Sequence, residues 1–233
     1  MKEGKFHDLE TAGTVVSVDQ MRRSDAYTIE HFVPSRELMY RAADGVFRAY
    51  EGWQGREIAI VVGGGNNGGD GFALAGILKK AGMDPVIYEV SDKPSEDGSY
   101  YRDIARELGV RMDAFEADTD LSGYDVIVDC VLGTGFKGEV RGKAGDAIRA
   151  INKAGATGTA SGEAGATSGE TGAYVISVDI NSGMNGDTGE GALAVKSDLT
   201  VSIGYYKQGQ FKGDAEKYIG ELTNADIGIV LVE

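Results

Sequence analysis

Two kinds of residue in this chain sit where an ordinary turn or strand needs neither. Residues 63–71 read Gly-Gly-Gly-Asn-Asn-Gly-Gly-Asp-Gly and directly follow the apolar run Ile58-Ala59-Ile60-Val61-Val62. Glycine leaves the backbone N–H groups bare and permits positive φ, so such a loop ahead of a helix can wrap an anionic or polar ligand. Asn66, Asn67 and Asp70 add directed polar groups that the turn itself does not require. Asp129 and Asp179 close two apolar runs, Val126-Ile127-Val128-Asp129 and Val175-Ile176-Ser177-Val178-Asp179. An ionised carboxylate in a buried strand is costly unless it is paired, hydrogen-bonded or bound to a cation. Two readings stand side by side. Each aspartate caps N–H groups of the neighbouring loop, or it serves as a cation ligand or general acid/base, with burial raising its pKa toward the range useful for proton transfer.

Two more loops follow apolar strands. One is Gly133-Thr134-Gly135-Phe136-Lys137-Gly138-Glu139, the other Asn181-Ser182-Gly183. In a parallel sheet all these strand ends share one edge, and ligands of open α/β sheets bind outside that carboxyl edge. A dinucleotide fingerprint competes. Gly63-x-Gly65-x-x-Gly68 fits it, and Glu89 follows at the end of the next strand, which suggests an NAD dehydrogenase. Gly133-x-Gly135-x-x-Gly138 fits equally well, however, and with 36 glycines in 233 residues the pattern alone says little. The only histidines, His7 and His31, lie in the N-terminal region, which disfavours a Ser-His or zinc site. Cys130 reads as core. Lys207 follows a strand and is read two ways, as a reach toward a ligand phosphate or as a solvated side chain.

The elements that position these groups alternate. Ser17, with Gln20 three residues on, forms a capping box at the start of a helix, and Pro34-Ser35 opens a second. Strands are expected at 57–62, 85–90, 110–115, 124–132, 174–180, 199–203 and 222–229, and helices at 72–81, 95–108 and 142–153. The order implies an α/β fold of three α/β/α layers, Rossmann-like, around a mostly parallel sheet. A single domain over 1–233 is expected, with a polar start at 1–13. A flexible Gly/Ala/Ser/Thr insertion at about 154–173 carries no chemistry. A net charge of −14 disfavours nucleic acid and anionic membrane as partners. One cysteine, no apolar leader and no run of membrane-spanning length point to a cytoplasmic protein.

Together the three loops resemble those of the NAD(P)H-hydrate epimerase family, the YjeF amino-terminal domain. That family pairs Asn-Asn-Gly-Gly-Asp-Gly with Asp-x-x-x-Gly-Thr-Gly and Asp-Ile-Pro-Ser-Gly, which stand here at 66–71, 129–135 and 179–183. The resemblance implies an isomerase that interconverts the R and S epimers of hydrated NADH or NADPH (NADHX, NADPHX) at C6, so that a separate dehydratase can restore the coenzyme. It implies one potassium ion, with Asn67, Asp129 and Ser182 as ligands. The substrate is expected on Asn66, Asn67, Gly68, Gly69 and Asp70, on Gly133, Thr134, Gly135, Phe136, Lys137, Gly138 and Glu139, and on Asp179. With Asp129 engaged by the cation, Asp179 is expected to move the proton. Amides of 133–138 would hold phosphate.

The chain departs from the family pattern in three places, one of them the insertion at about 154–173. Asn181 replaces the usual proline and is expected to loosen its turn, and Tyr40 stands where an acidic residue is common. Some relatives carry the dehydratase as a second domain, for which 233 residues leave no room. A homodimer is a further expectation. An NAD(P)-dependent oxidoreductase and a non-catalytic nucleotide-binding module remain as alternatives.

Overall fold

The computed structural model describes residues 13–156 and 172–233, so the expected polar start and most of the expected insertion lie outside the described residues. Seven parallel strands form the central sheet in the order β4-β3-β2-β5-β6-β7-β9. They are β2 (Ile58–Val62), β3 (Val86–Glu89), β4 (Arg111–Ala114), β5 (Val126–Cys130), β6 (Tyr174–Val178), β7 (Ser197–Ile203) and β9 (Ile219–Ala225). A second, two-stranded sheet pairs β1 (Val15–Val16) with β8 (Tyr206–Lys207).

Side-chain alternation along the strands builds two separate cores, as the period of two requires. Ile58, Ile60, Val62, Val126, Val128 and Cys130 pack on one face beneath α2 (Ser35–Ala49), α3 (Asn66–Lys80) and α4 (Glu96–Glu107). Ala59, Val61, Ile127 and Val175 pack on the other face against Ala147, Ile148 and Ile151 of α5 (Gly142–Ala156). The result is the expected three-layer architecture, with Cys130 buried in the core. The chain reverses direction across the sheet between β2 and β5, whose register pairs Val61 with Asp129 and Val62 with Cys130. The crevice at such a switch point is where an open α/β sheet presents its loops.

Three local expectations are corrected. The stretch 66–71 is the start of α3 rather than a free loop, because α3 begins at Asn66 with Gly65 at its N-cap. Packing explains how a helix tolerates so much glycine there. A Cβ at Gly68 would lie 2.0 Å from the Gly63 carbonyl oxygen, and one at Gly63 would lie 1.9 Å from that of Val131. Tertiary closeness outweighs the low helix propensity of glycine. At α1 (Val18–His31), Ser17 caps as expected and accepts from the Gln20 N–H at 3.1 Å. The Gln20 side chain does not return the bond and donates instead to the Val232 carbonyl at 3.1 Å, so half of the capping box forms. Asn181, expected to loosen its turn, fastens it. The side chain is fully buried, with Nδ2 within 2.9–3.0 Å of Val195 O, Ser197 Oγ and Tyr218 O, while Oδ1 accepts from Thr200 Oγ1 at 2.7 Å.

Candidate active site

A cavity of about 480 Å³ opens at the switch point. Gly64, Gly65, Asn66, Asn67 and Asp70 line it from the end of β2 and the start of α3. Gly133, Thr134, Gly135 and Phe136 line it from the loop after β5, and Asp179 from the end of β6. Asp25 and Arg22 of α1, together with Leu38 and Met39 of α2, complete it, with Lys207 alongside. The three loops singled out by their residue types therefore meet on one rim.

Not every expected contact reaches the cavity. Gly68 and Gly69 are buried inside α3, against the Gly63 carbonyl and the Met39 side chain, and serve packing. Lys137, Gly138 and Glu139 are exposed beyond the rim, and Glu139 pairs with Arg141 at 2.7 Å. The amide nest expected across 133–138 is thus shortened to the part that lines the cavity, 133–136. Tyr40 is exposed and lies in a separate groove with Tyr100 and Tyr101. Glu89, the acidic residue of the dinucleotide fingerprint, pairs with Arg102 at 2.5 Å and does not line the cavity.

Asp129 is fully buried and is held as a capping carboxylate. Oδ2 accepts from the Ser182 N–H and the Ser177 hydroxyl, both at 2.9 Å. Oδ1 accepts from the Ser182 hydroxyl at 2.5 Å and the Val131 N–H at 3.2 Å. Burial pushes its pKa up, and these donors pull it back. The Ser182 hydroxyl also lies 3.2 Å from the Leu132 carbonyl, to which Asn67 Nδ2 donates at 3.0 Å. Asn67, Ser182 and Asp129 are therefore joined through one carbonyl. Asn67 Oδ1 is buried without a hydrogen-bond partner. An orphaned buried acceptor calls for a ligand. The groups joined to Asn67, the Leu132 carbonyl and the Ser182 hydroxyl, are oxygen donors that fit a hard cation rather than a transition metal.

Asp179 is the one described non-glycine residue with positive φ, at 66°. Such a conformation persists only where the surroundings over-determine it. Here the Asp179 N–H donates to Val201 O at 2.8 Å, and its carbonyl accepts from Gln210 Nε2 at 2.9 Å. The carboxylate Oδ1 pairs with Lys207 Nζ. The Lys207 side chain is only 1% exposed, so of its two expected roles the solvated one is excluded. Its ammonium also donates to Ile203 O at 2.7 Å.

Two further carboxyls stand close by. Burial pushes Asp70 well above the usual carboxylate range, and the charges of Asp179 and Asp25 add to the effect while Lys207 opposes it. The same forces push Asp25 up to about 6. Sequence reasoning missed Asp25, because an aspartate on an amphipathic helix reads as solvated surface. The pairing of β1 with β8, which sets Lys207 opposite Val16, is only two residues long and leaves no periodic signal.

Comparison with known proteins shows the family. The family described as YjeF-related protein N-terminus matches residues 35–209. The NAD(P)H-hydrate epimerase of Limosilactobacillus reuteri (strain DSM 20016) is 32% identical over 229 residues, covering 94% of this chain and 98% of that protein. That of Oenococcus oeni is 34% identical over 222 residues, covering 92% and 96%. The bifunctional NAD(P)H-hydrate repair enzyme of Coxiella burnetii is 31% identical over 215 residues, which cover 90% of this chain and 40% of that longer protein. A crystal structure of a yeast protein (YNL200c) shares the fold, with a TM-score of 0.68 at 20% identity over 91% of this chain and 87% of the other. The chain belongs to the family of YjeF-related N-terminal domains.

Proposed function

We propose that this protein is an NAD(P)H-hydrate epimerase, an isomerase that inverts C6 of hydrated NADH and NADPH for coenzyme repair. The observation that carries the reading is the convergence of Asp179, Lys207, Asn66, Asn67 and Asp70 on one cavity, in a chain 32–34% identical to epimerases along nearly its whole length. The oxidoreductase alternative loses its ribose-binding acid, because Glu89 is engaged by Arg102.

Hydrated C6 carries a hydroxyl beside the ring nitrogen. Inversion needs that carbon to become planar, either by loss of hydroxide or by opening of the C6–N1 bond. Either route needs a proton delivered and later removed, a service worth about 10²- to 10⁴-fold. Asp179 lies in the cavity, and its orientation is fixed by Lys207, so it is the group assigned to that transfer. Three acidic groups repel phosphate. The pyrophosphate therefore belongs at the other lining, on the bare amides of Gly64 and Gly65 at the start of α3 and of 133–135 in the loop after β5.

A potassium ion fits beside Asn67. Asn67 Oδ1 and Ser182 Oγ would hold it together with the Leu132 carbonyl, and Asp129 would supply the balancing charge through Ser182. Bound there, the ion would fix the loops after β2, β5 and β6 relative to one another. A dehydratase carried on a separate chain would take the S epimer onward.

The test is chromatographic separation of the R and S hydrates, following one purified epimer with and without protein. Interconversion supports the reading, and an unchanged epimer removes it. Intact NAD offered with candidate alcohols should give no reduced nicotinamide.

A further inference from the structure

The cavity holds more acid than its cations balance. Its charged lining residues are Arg22, Asp25, Asp70, Asp97, Asp179 and Lys207. Asp97 pairs with Arg36 at 3.2 Å, and Asp179 with Lys207. Arg22 is exposed at the mouth, where its guanidinium comes near Gly135. Asp25 and Asp70 are left over. No described residue gives either carboxyl a hydrogen bond or a salt bridge, although both are partly buried. An unpaired charge in such a place is unfavourable, so these groups hold protons or await a ligand that takes them. Burial pushes Asp70 well above the usual carboxylate range, and the Asp179 and Asp25 charges add to it. Asp25 is pushed only to about 6, so near neutrality it can both hold a proton and release one.

We propose that Asp25 is the second proton-transfer group of the epimerisation, acting from α1 while Asp179 acts from the carboxyl edge of the sheet. The proposal rests on the epimerase reading. R and S epimers carry the C6 hydroxyl on opposite faces of the ring, and one carboxyl in a fixed position reaches one face. Two carboxyls on different elements reach both. In one direction the Asp25 carboxyl gives its proton to the C6 hydroxyl oxygen. The C6–O bond breaks, its electron pair leaves with water, and the N1 lone pair forms C6=N1. A water then attacks C6 from the opposite face. Its lone pair becomes the new C6–O bond, the C6=N1 pair returns to N1, and Asp179 takes the released proton. One water leaves and one enters, and no oxidation occurs. The reverse conversion uses the same two groups with their roles exchanged, and exchange with solvent resets them. Burial raises the Asp25 midpoint most, the Asp179 charge raises it further and Lys207 lowers it; Arg22, Asp70 and Asp97 are the other charged groups of the shared lining.

The experiment gives wild-type, Asp25→Asn and Asp25→Glu protein a single epimer of hydrated NADH across a pH series spanning that midpoint. The expected result is an Asp25→Asn turnover at least about a hundredfold lower with affinity for intact NADH unchanged. The wild-type limb near pH 6 disappears in Asp25→Asn and persists in Asp25→Glu. In heavy-oxygen water, each molecule inverted by the wild-type protein acquires one solvent oxygen. Asp25→Asn turnover within about threefold of wild type, or inversion with the original oxygen retained, overturns the proposal. Wild-type protein that interconverts nothing overturns the epimerase reading itself, a different result from a normal Asp25→Asn variant.

Discussion

Lys207 Nζ closes an ion pair on Asp179 Oδ1 beneath the cavity, joining a side chain 1% exposed to one 18% exposed. The pair spans from β8 to the residue after β6, and it helps secure an aspartate whose φ is 66°, together with the Gln210 side chain on its carbonyl. Removing one partner of a buried pair is far more harmful than removing both. Lys207→Met should therefore destabilise the fold by about 2–4 kcal/mol, below the fully buried range because Asp179 keeps contact with water. Combining it with Asp179→Asn should recover at least about 1 kcal/mol, as read by urea denaturation of both single variants and the double variant. Strict additivity would show that the pair is not coupled.

Asp25 carries a stability consequence of its own. Its folded-state pKa of about 6 exceeds the ordinary value of 3.8, so the folded protein binds that proton more tightly than the unfolded chain does. Its contribution is fully present below about pH 3.8 and is lost as pH rises toward 6. Asp25→Asn removes this loss. The variant should be more stable than wild type at neutral pH by up to about 3 kcal/mol, with the advantage vanishing in acid. Equal pH dependence of the two melting temperatures would contradict this placement of Asp25.

Much of the site was legible before the structure because burying charge is expensive. Asp129 and Asp179 stood out by closing apolar runs, and both proved to be tightly bonded at the sheet edge. The strands and most helices follow from periodicity, and Ser95 caps α4 as its position suggested. Three things were hidden. The start of α3 was masked by three glycines in its first six residues, whose tolerance depends on how closely β2 and β5 approach it. Asp25 looks like surface until α1 is laid over the cavity. Asn181 looks like a weakened turn until Val195, Ser197, Thr200 and Tyr218 are seen around it.

That last cluster gives a test. Asn181→Ala leaves the Thr200 hydroxyl and several carbonyls with fewer partners in a buried place, at a cost of about 2–4 kcal/mol. Asn181→Pro should cost at least as much, although proline is usual in the family at this position. Unaltered denaturation midpoints would show that the network is incidental.

The glycines of the fingerprint should separate into two kinds. Gly65 has open space where a Cβ would stand and a φ of −88°, so Gly65→Ala should stay within about 0.5 kcal/mol of wild type. Gly68→Ala forces a methyl against the Gly63 carbonyl and should cost more than about 3 kcal/mol or prevent folding. Equal tolerance at both positions would contradict the close approach of β2 to α3.

If a cation organises the loops, potassium should raise the melting temperature relative to choline at the same ionic strength. Asn67→Ala removes the orphaned oxygen without touching the four bonds to Asp129, so it should abolish that response while the protein stays folded. A response that persists in Asn67→Ala would move the cation elsewhere.

Single-turnover inversion of one purified epimer by Asp179→Asn tests the whole account most directly. The expected outcome is a rate more than about a hundredfold below wild type, with the hydrated coenzyme bound as tightly as before. Inversion at the wild-type rate would show that the strained aspartate at the rim has no part in the chemistry.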